Sequence, residues 1–315
     1  MKRVVAITGC TADWGLLDSV LQPLLGRVHL TLVVLGSHRI NAIYETADHV
    51  EVIRRPGMGD HGMADFAAQT AQFIPQAIPQ APDAVVLLGD RVEILTAAML
   101  VRLLNCPIHH LYAGDRSGCV DDFYRDAISM LSNHLYVVSL PAWTRVVDFK
   151  RTAPDRIQSV DLVASVMVTD DSRVPNQKYA IARWHPETQW AENVEGWVRE
   201  AVAKAQQEKI TLYILPPNRD TGWEKIDKLI GELVVAHGRT VQRMDGEMTR
   251  AEYLGILKKA EWVRGNSSSF VLEAPLLRPR MVIIADGSRQ ARRCPPNPVA
   301  KSHMSDRLLQ RINEC

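Results

Sequence analysis

The chain is 315 residues long, about twice a typical domain, so two domains are expected. With 46% hydrophobic and 23% charged residues, and 37 Lys+Arg against 36 Asp+Glu for a net charge of +1, it has the composition of a soluble globular protein. That balance argues against binding nucleic acid through bulk charge, and no apolar run approaches the roughly 20 residues of a membrane span.

The N-terminal MKRVVAITG has too short an apolar stretch for a signal peptide and reads as a buried first strand over 4–8. A helix from about Asp13 to Leu25 follows, then strands at 29–36 and 49–54 and an Ala- and Gln-rich helix over 62–77. AVVLLGD at 84–90 is a strand ending in a charge, followed by a helix near 93–104, a strand at 107–114 and a helix from Asp121 to Asn133. Short apolar runs alternating with helices indicate a parallel sheet covered on both faces. From Ser139 to Asp171 no strong helix is expected, and the crossing between domains is placed there.

The rhythm then restarts: strand 178–186, helix 189–208, strand 210–218, helix 222–237 and strand 240–244. Thr249 and Glu252 have the spacing of a capping box opening a helix to Ala260. EWVRGN is a strand, FVLEAPLL a short helix and 280–285 a last strand, and amphipathic SDRLLQRI (305–312) is a closing helix packing back on the first domain. The expected fold class is α/β, two doubly wound Rossmann-like domains facing a cleft: 1–165, 166–300, and a C-terminal helix in 301–315. The five cysteines form no CxxC pair, so a disulfide framework or zinc ribbon is not expected, and the chain reads as cytoplasmic.

Polar clusters fall just past the expected strands, where a parallel sheet exposes functional groups. Asp90 in LGDR is either a helix N-cap or a catalytic carboxylate. Residues 109–130 hold His109, His110, Tyr112, Asp115, Asp121, Asp122 and Arg125. Adjacent histidines on a strand point to opposite faces, so only one can face the ligand side. Asp121 and Arg125 are four apart, the spacing of a solvated helix pair. No H-x-x-x-H or D-x-D triplet occurs, so metal catalysis is not expected.

In the second half, Pro186 forces a turn that exposes His185 in WHPET. Ser267, Ser268 and Ser269 lead into a helix expected near Phe270, where hydroxyls and free amides suit a phosphate; an ordinary N-cap needs one serine. Glu273 lies one turn in and can accept ribose hydroxyls. Arg289, Arg292 and Arg293 follow in a loop and can pair with phosphate oxygens. GxGxxG, P-loop and GxSxG motifs are absent, which removes support for hydride transfer, ATP hydrolysis and an esterase triad.

In this order the clusters resemble the hydrolysing UDP-N-acetylglucosamine 2-epimerase family, whose fold is that of the GT-B glycosyltransferases. TGCTADWGLL resembles its T-G-x-R-A-D-Y opening, LLGDRVEILTAA its G-D-R segment, and HHLYAGDRSGCVDDFYRDAIS its H-x-x-G-G-E…D-D/E…R-H-A-I-x-K run. HPET, PNRDTG, NSSSFVLEAP and RQARR resemble its H-P-x-T, P-N-x-D-x-G, N-S-S-x-x-x-x-E-A-P and R-Q-x-x-R motifs.

The resemblance implies uracil and phosphate contacts at His185, Ser267, Ser268 and Arg289, with Ser269 adjoining, and a ribose contact at Glu273. It implies acid/base carboxylates at Asp90 and Asp121, near His110, Tyr112, Asp115, Asp122 and Arg125. It also implies a UDP-sugar substrate, UDP-N-acetylglucosamine or a relative, no cofactor and a homodimer. The departures lie on the sugar side: Thr11 for Arg, Tyr112 for Glu, Ala113-Gly114-Asp115 for G-G-E, and Asp126 and Met130 for the His and Lys of the last run. The alternative is a GT-B glycosyltransferase, in which an acceptor hydroxyl replaces water at C1.

Overall fold

The chain divides into two compact units, one of Met1–Asp115, Asp121–Val166 and Pro296–Cys315, the other of Arg116–Val120 and Met167–Pro295. The structure is a computed structural model, and it describes residues 1–36, 38–55, 62–150, 154–159, 168–187, 193–218, 222–246, 248–278, 281–287 and 304–314, with the backbone alone at 11, 12, 149 and 150.

The first unit runs β1 (Arg3–Thr8), α1 (Thr11–Leu21), β2 (His29–Val34), α2 (Ile43–Thr46), β3 (Val50–Arg54) and α3 (Met63–Ala77). It continues with β4 (Ala84–Leu88), α4 (Val92–Leu103), β5 (Ile108–Leu111), α5 (Asp121–Leu131), β6 (His134–Val137), α6 (Leu140–Lys150) and β7 (Ile157–Ser159). The seven strands are parallel in the order β3-β2-β1-β4-β5-β6-β7. All five residues of β4 are buried, because helices cover both faces of a parallel sheet and leave no polar side to alternate with. Val5, Ile7, Val85 and Leu87 pack with Phe73 and Ile74 of α3 and Ala97 and Val101 of α4 into one core.

The stretch after Ser139 is more regular than its sequence suggests. LPAWTRVVDFK forms α6, whose Ala142 and Val146 pack on Leu135, Val137 and Ile157, and β7 adds a strand after it; β6, just before Ser139, is a further strand not expected from the sequence. Two β-branched valines depress helix propensity here, and tertiary packing outweighs it.

In the second unit, β8 (Tyr179–Arg183), α7 (Val194–Glu208), β9 (Thr211–Ile214), α8 (Trp223–His237) and β10 (Val241–Arg243) are followed by α9 (Arg250–Lys259) and β11 (Trp262–Gly265). Two short helices, α10 (Ser268–Leu272) and α11 (Ala274–Leu277), and β12 (Val282–Ala285) complete it. Its parallel sheet has the order β10-β9-β8-β11-β12. Ala182, Leu212 and Trp184 pack with α7 and α8, and Ile181, Val263 and Tyr179 pack with α9 and α10. The expected capping box is present, with Thr249 Oγ1 accepting from Glu252 N at 3.2 Å and Glu252 Oε2 accepting from Thr249 N at 2.6 Å.

The closing helix α12 (Met304–Glu314) belongs to the first unit. It buries Leu308 and Ile312, and Arg311 donates to the Asp155 carbonyl at 2.5 Å.

Candidate functional site

In the first unit the polar groups gather where β1, β4 and β5 end. Small residues let the segments approach: a Cβ on Gly9 would meet Glu93 Oε1 at 2.4 Å, and one on Gly36 would meet the Gly9 carbonyl at 2.4 Å. Glu93 is fully buried and accepts from Arg91 Nε at 2.6 Å. Gly89 has φ +108, and a Cβ there would lie 2.7 Å from Asp13 Oδ2. Only glycine takes that backbone without strain, so the loop that presents Asp90 depends on it.

Arg125 organises the cluster. Its guanidinium bonds the Asp90 carboxylate, Asp122 Oδ1 at 2.7 Å and the Asp115 carbonyl at 2.7 Å. Arg125 is 1% exposed, so it is a buried hub and not half of the solvated pair its spacing to Asp121 suggests. Asp121 opens α5 and is half-buried.

His109 and His110 point opposite ways, as strand geometry requires. Both nitrogens of His110 are engaged, Nε2 with the Gly89 carbonyl at 3.2 Å and Nδ1 with Ser129 Oγ at 3.0 Å. A carbonyl only accepts, so Nε2 carries the proton, and His110 fixes the loop before Asp90. His109 bonds Tyr136 Oη at 2.9 Å and stacks on His134 at 4.6 Å. Tyr112 is buried in the left-handed region at φ 64, with Gly114 at φ 73. The Gly114 site has no room for a Cβ, which would meet the Ala142 carbonyl at 2.4 Å.

Three side chains beside this cluster, Cys10, Asp13 and His38, have no role assigned from the sequence. Cys10 Sγ donates to Asp13 Oδ2 at 3.3 Å. Burial, opposed by Arg91, lifts the Asp13 carboxyl to about 6, and burial and Asp13 push the Cys10 thiol well up. His38, just past β2, bonds Thr8 Oγ1 at 3.1 Å, and burial lowers it to about 4. Their neighbours T-G-C-T and G-S-H are glycine-marked strand ends, a signal that could have singled them out.

The second unit brings the expected nucleotide residues onto two adjacent strand ends. Asn266 accepts from His185 N at 2.7 Å and donates to the His185 carbonyl at 2.9 Å, locking the two segments together. His185 Nδ1 accepts from Asn218 N at 3.0 Å. The residue is 4% exposed, so the turn at Pro186 does not expose the imidazole as expected; Asn266 and Asn218 hold it in.

The serine helix begins at Ser268, two residues earlier than expected, with Ser267 at the N-cap position. Ser267 makes no capping bond, and its hydroxyl meets Ser269 Oγ at 3.1 Å. Ser269 in turn meets Tyr253 Oη. Glu273, 5% exposed, pairs with Arg250 Nη2 at 2.5 Å. Arg289, Arg292 and Arg293 lie outside the described residues. Among the described residues no cluster of His, Cys, Asp or Glu has the arrangement of a metal site, and no helix is long and apolar enough to cross a membrane.

Residues 26–314 match the family described as UDP-N-acetylglucosamine 2-epimerase. The chain belongs to this family. It is 31% identical over 322 residues to a UDP-N-acetylglucosamine 2-epimerase of Neisseria meningitidis, covering 93% of this chain and 81% of that protein. It is 28% identical over 317 residues to a hydrolysing UDP-N,N'-diacetylbacillosamine 2-epimerase of Legionella pneumophila, covering 92% of this chain and 82% of that protein.

The crystal structure of Methanocaldococcus jannaschii UDP-GlcNAc 2-epimerase, in complex with UDP-GlcNAc and UDP, superposes with a TM-score of 0.73 at 14% identity, over 99% of this chain and all of that one. The fold is therefore the GT-B class expected from the sequence, and the protein is an enzyme of the 2-epimerase family.

Proposed function

We propose that this 2-epimerase family member hydrolyses a UDP-N-acetylhexosamine, releasing UDP and the C2-inverted free sugar. The observation that carries this reading is the buried Arg125 hub, which gathers Asp90, Asp115 and Asp122 at the strand ends of a chain matching the family over residues 26–314. UDP-N-acetylglucosamine and UDP-N,N'-diacetylbacillosamine are the two substrates to try, since the similar enzymes carry those names.

The reaction proceeds in two balanced steps. A carboxylate takes the proton from C2, the C1–O bond to UDP breaks, and a glycal and UDP result. Water then adds its hydroxyl to C1, and C2 receives a proton on the opposite face. One group must accept a proton and another must return one, the work of paired acids and bases. Asp90, oriented by Arg125, and Asp121, at the start of α5, fill these roles. Tyr112 serves as a proton donor and not as a base, since an ordinary phenol titrates near 10. His110 positions the Gly89–Asp90 loop, Arg125 also fixes Asp122 and the backbone of Asp115, and His185, Ser267, Ser268, Ser269, Glu273 and Arg289 bind the nucleotide.

Family membership favours this reading over transfer to an acceptor hydroxyl. Incubation in oxygen-18 water tests it: elimination and addition put the label on C1 of the sugar and leave UDP unlabelled. Label in UDP would mean attack at phosphorus and would overturn the proposal.

A further inference from the structure

α9 sends two polar side chains to the Ser267–Glu273 segment. The capping box fixes the start of the helix, so Arg250 and Tyr253 lie one turn apart on a single face. Tyr253 Oη meets Ser269 Oγ, and Arg250 Nη2 lies 2.5 Å from Glu273 Oε1, with side chains 17% and 7% exposed. Arg250 Nε and Nη2 are buried and reach no acceptor in hydrogen-bond geometry. Burial, helped by the charge of Glu273, pushes the Tyr253 hydroxyl up to about 12, so it stays protonated beside Ser269.

A carboxylate that reads two vicinal hydroxyls must be held in one rotamer, and it must not repel the diphosphate that arrives with them. A guanidinium does both, because it is charged at all working pH values and its Nη2 contact with Oε1 restrains the Glu273 carboxylate. We propose that Arg250 is the positioning residue that makes the nucleotide site selective for ribose over 2'-deoxyribose, acting through Glu273. The inference rests on the reading that Glu273 binds the ribose. Tyr253 sets the serine hydroxyls in the same way, one turn along α9.

Calorimetric titration of the whole protein with UDP and with 2'-deoxy-UDP tests this, using the parent, Glu273→Gln, Arg250→Met and Arg250→Lys. The parent should bind UDP about tenfold more tightly than the deoxy analogue, the worth of one hydrogen bond to a charged group. Arg250→Met should bring that ratio near one, and Arg250→Lys, which keeps the charge without the fork, should restore part of it. A purely structural role would weaken both ligands equally and leave the ratio intact, and that result overturns the proposal.

If the parent binds no UDP, the nucleotide reading fails and takes this inference with it. If Glu273→Gln keeps the full ratio, the ribose assignment is wrong. If Glu273→Gln loses the ratio while Arg250→Met keeps it, only the role of Arg250 is wrong. Thermal unfolding confirms that each variant folds, and should Arg250→Met not fold, a full parental ratio in Arg250→Lys overturns the proposal.

Discussion

Arg125 and Asp90 stand 35 residues apart in the chain, yet the guanidinium of one is bonded to the carboxylate of the other. The pair ties the N-terminal half of α5 to the loop after β4. Arg125 is 2% exposed at its side chain and Asp90 20%, so the carboxylate keeps one edge open while the cation is sealed. A sealed cation that also holds Asp122 and the Asp115 carbonyl fixes three acidic segments at once.

Removing that hub should cost both stability and turnover. Arg125→Met takes the guanidinium away from Asp90 and Asp122, and breaking a buried pair from one side destabilises by about 3–5 kcal/mol. The melting temperature should fall by several degrees and turnover should drop sharply, with UDP affinity unchanged in the fraction that remains folded. Arg125→Lys, which cannot serve three acceptors in a planar fork, should recover little of either. Unaltered turnover in Arg125→Met would detach the cluster from the chemistry.

Asp90→Ala separates sugar chemistry from nucleotide binding. It should abolish activity, a loss of at least about a hundredfold for an acid/base group, while UDP affinity stays close to the parent value. Asp121→Asn should behave alike. A collapse of UDP binding in Asp90→Ala would show that the nucleotide does not depend on the second unit alone.

His109 predicts a pH dependence of stability. Burial, then the neighbouring His134 and Arg311, lower it to about 3, against about 6.5 in an unfolded chain. Between those values the unfolded chain binds a proton that the folded one refuses. Stability contributed by neutral His109 is therefore complete above about pH 6.5 and is lost as the pH falls toward 3, at up to about 1.4 kcal/mol per pH unit. Chemical denaturation of the parent and of His109→Gln across this range checks it. The parent should lose stability more steeply on acidification, and parallel curves would show that His109 is protonated in the fold.

The sequence is most legible where burial is symmetrical. β1, β4 and β8 read as short apolar runs because both faces of their sheets are covered. α6 lacks a clear signal because Ala142 and Val146 are its fully buried packing residues, with Trp143 and Val147 half-covered beside them, within a segment of low helix propensity. Motif order singles out Asp90, Asp115, Asp121 and Glu273 but says nothing of the contacts the fold gives Asp90 and Glu273. Arg125 looked like a surface pair because spacing along one helix says nothing of Asp90 on another segment. Arg250 and Tyr253 went unnoticed for the same reason, since their partners lie 23 and 16 residues downstream in sequence and meet them only through the fold.

The most direct test follows the C2 proton. UDP-N-acetylglucosamine and UDP-N,N'-diacetylbacillosamine are each incubated with the protein in deuterium oxide, and the anomeric and C2 signals are followed by NMR. Elimination and readdition predict that one of them yields UDP and a free, C2-inverted sugar carrying deuterium at C2. A released sugar that keeps its original C2 proton and configuration would show simple hydrolysis at C1 and would contradict the account.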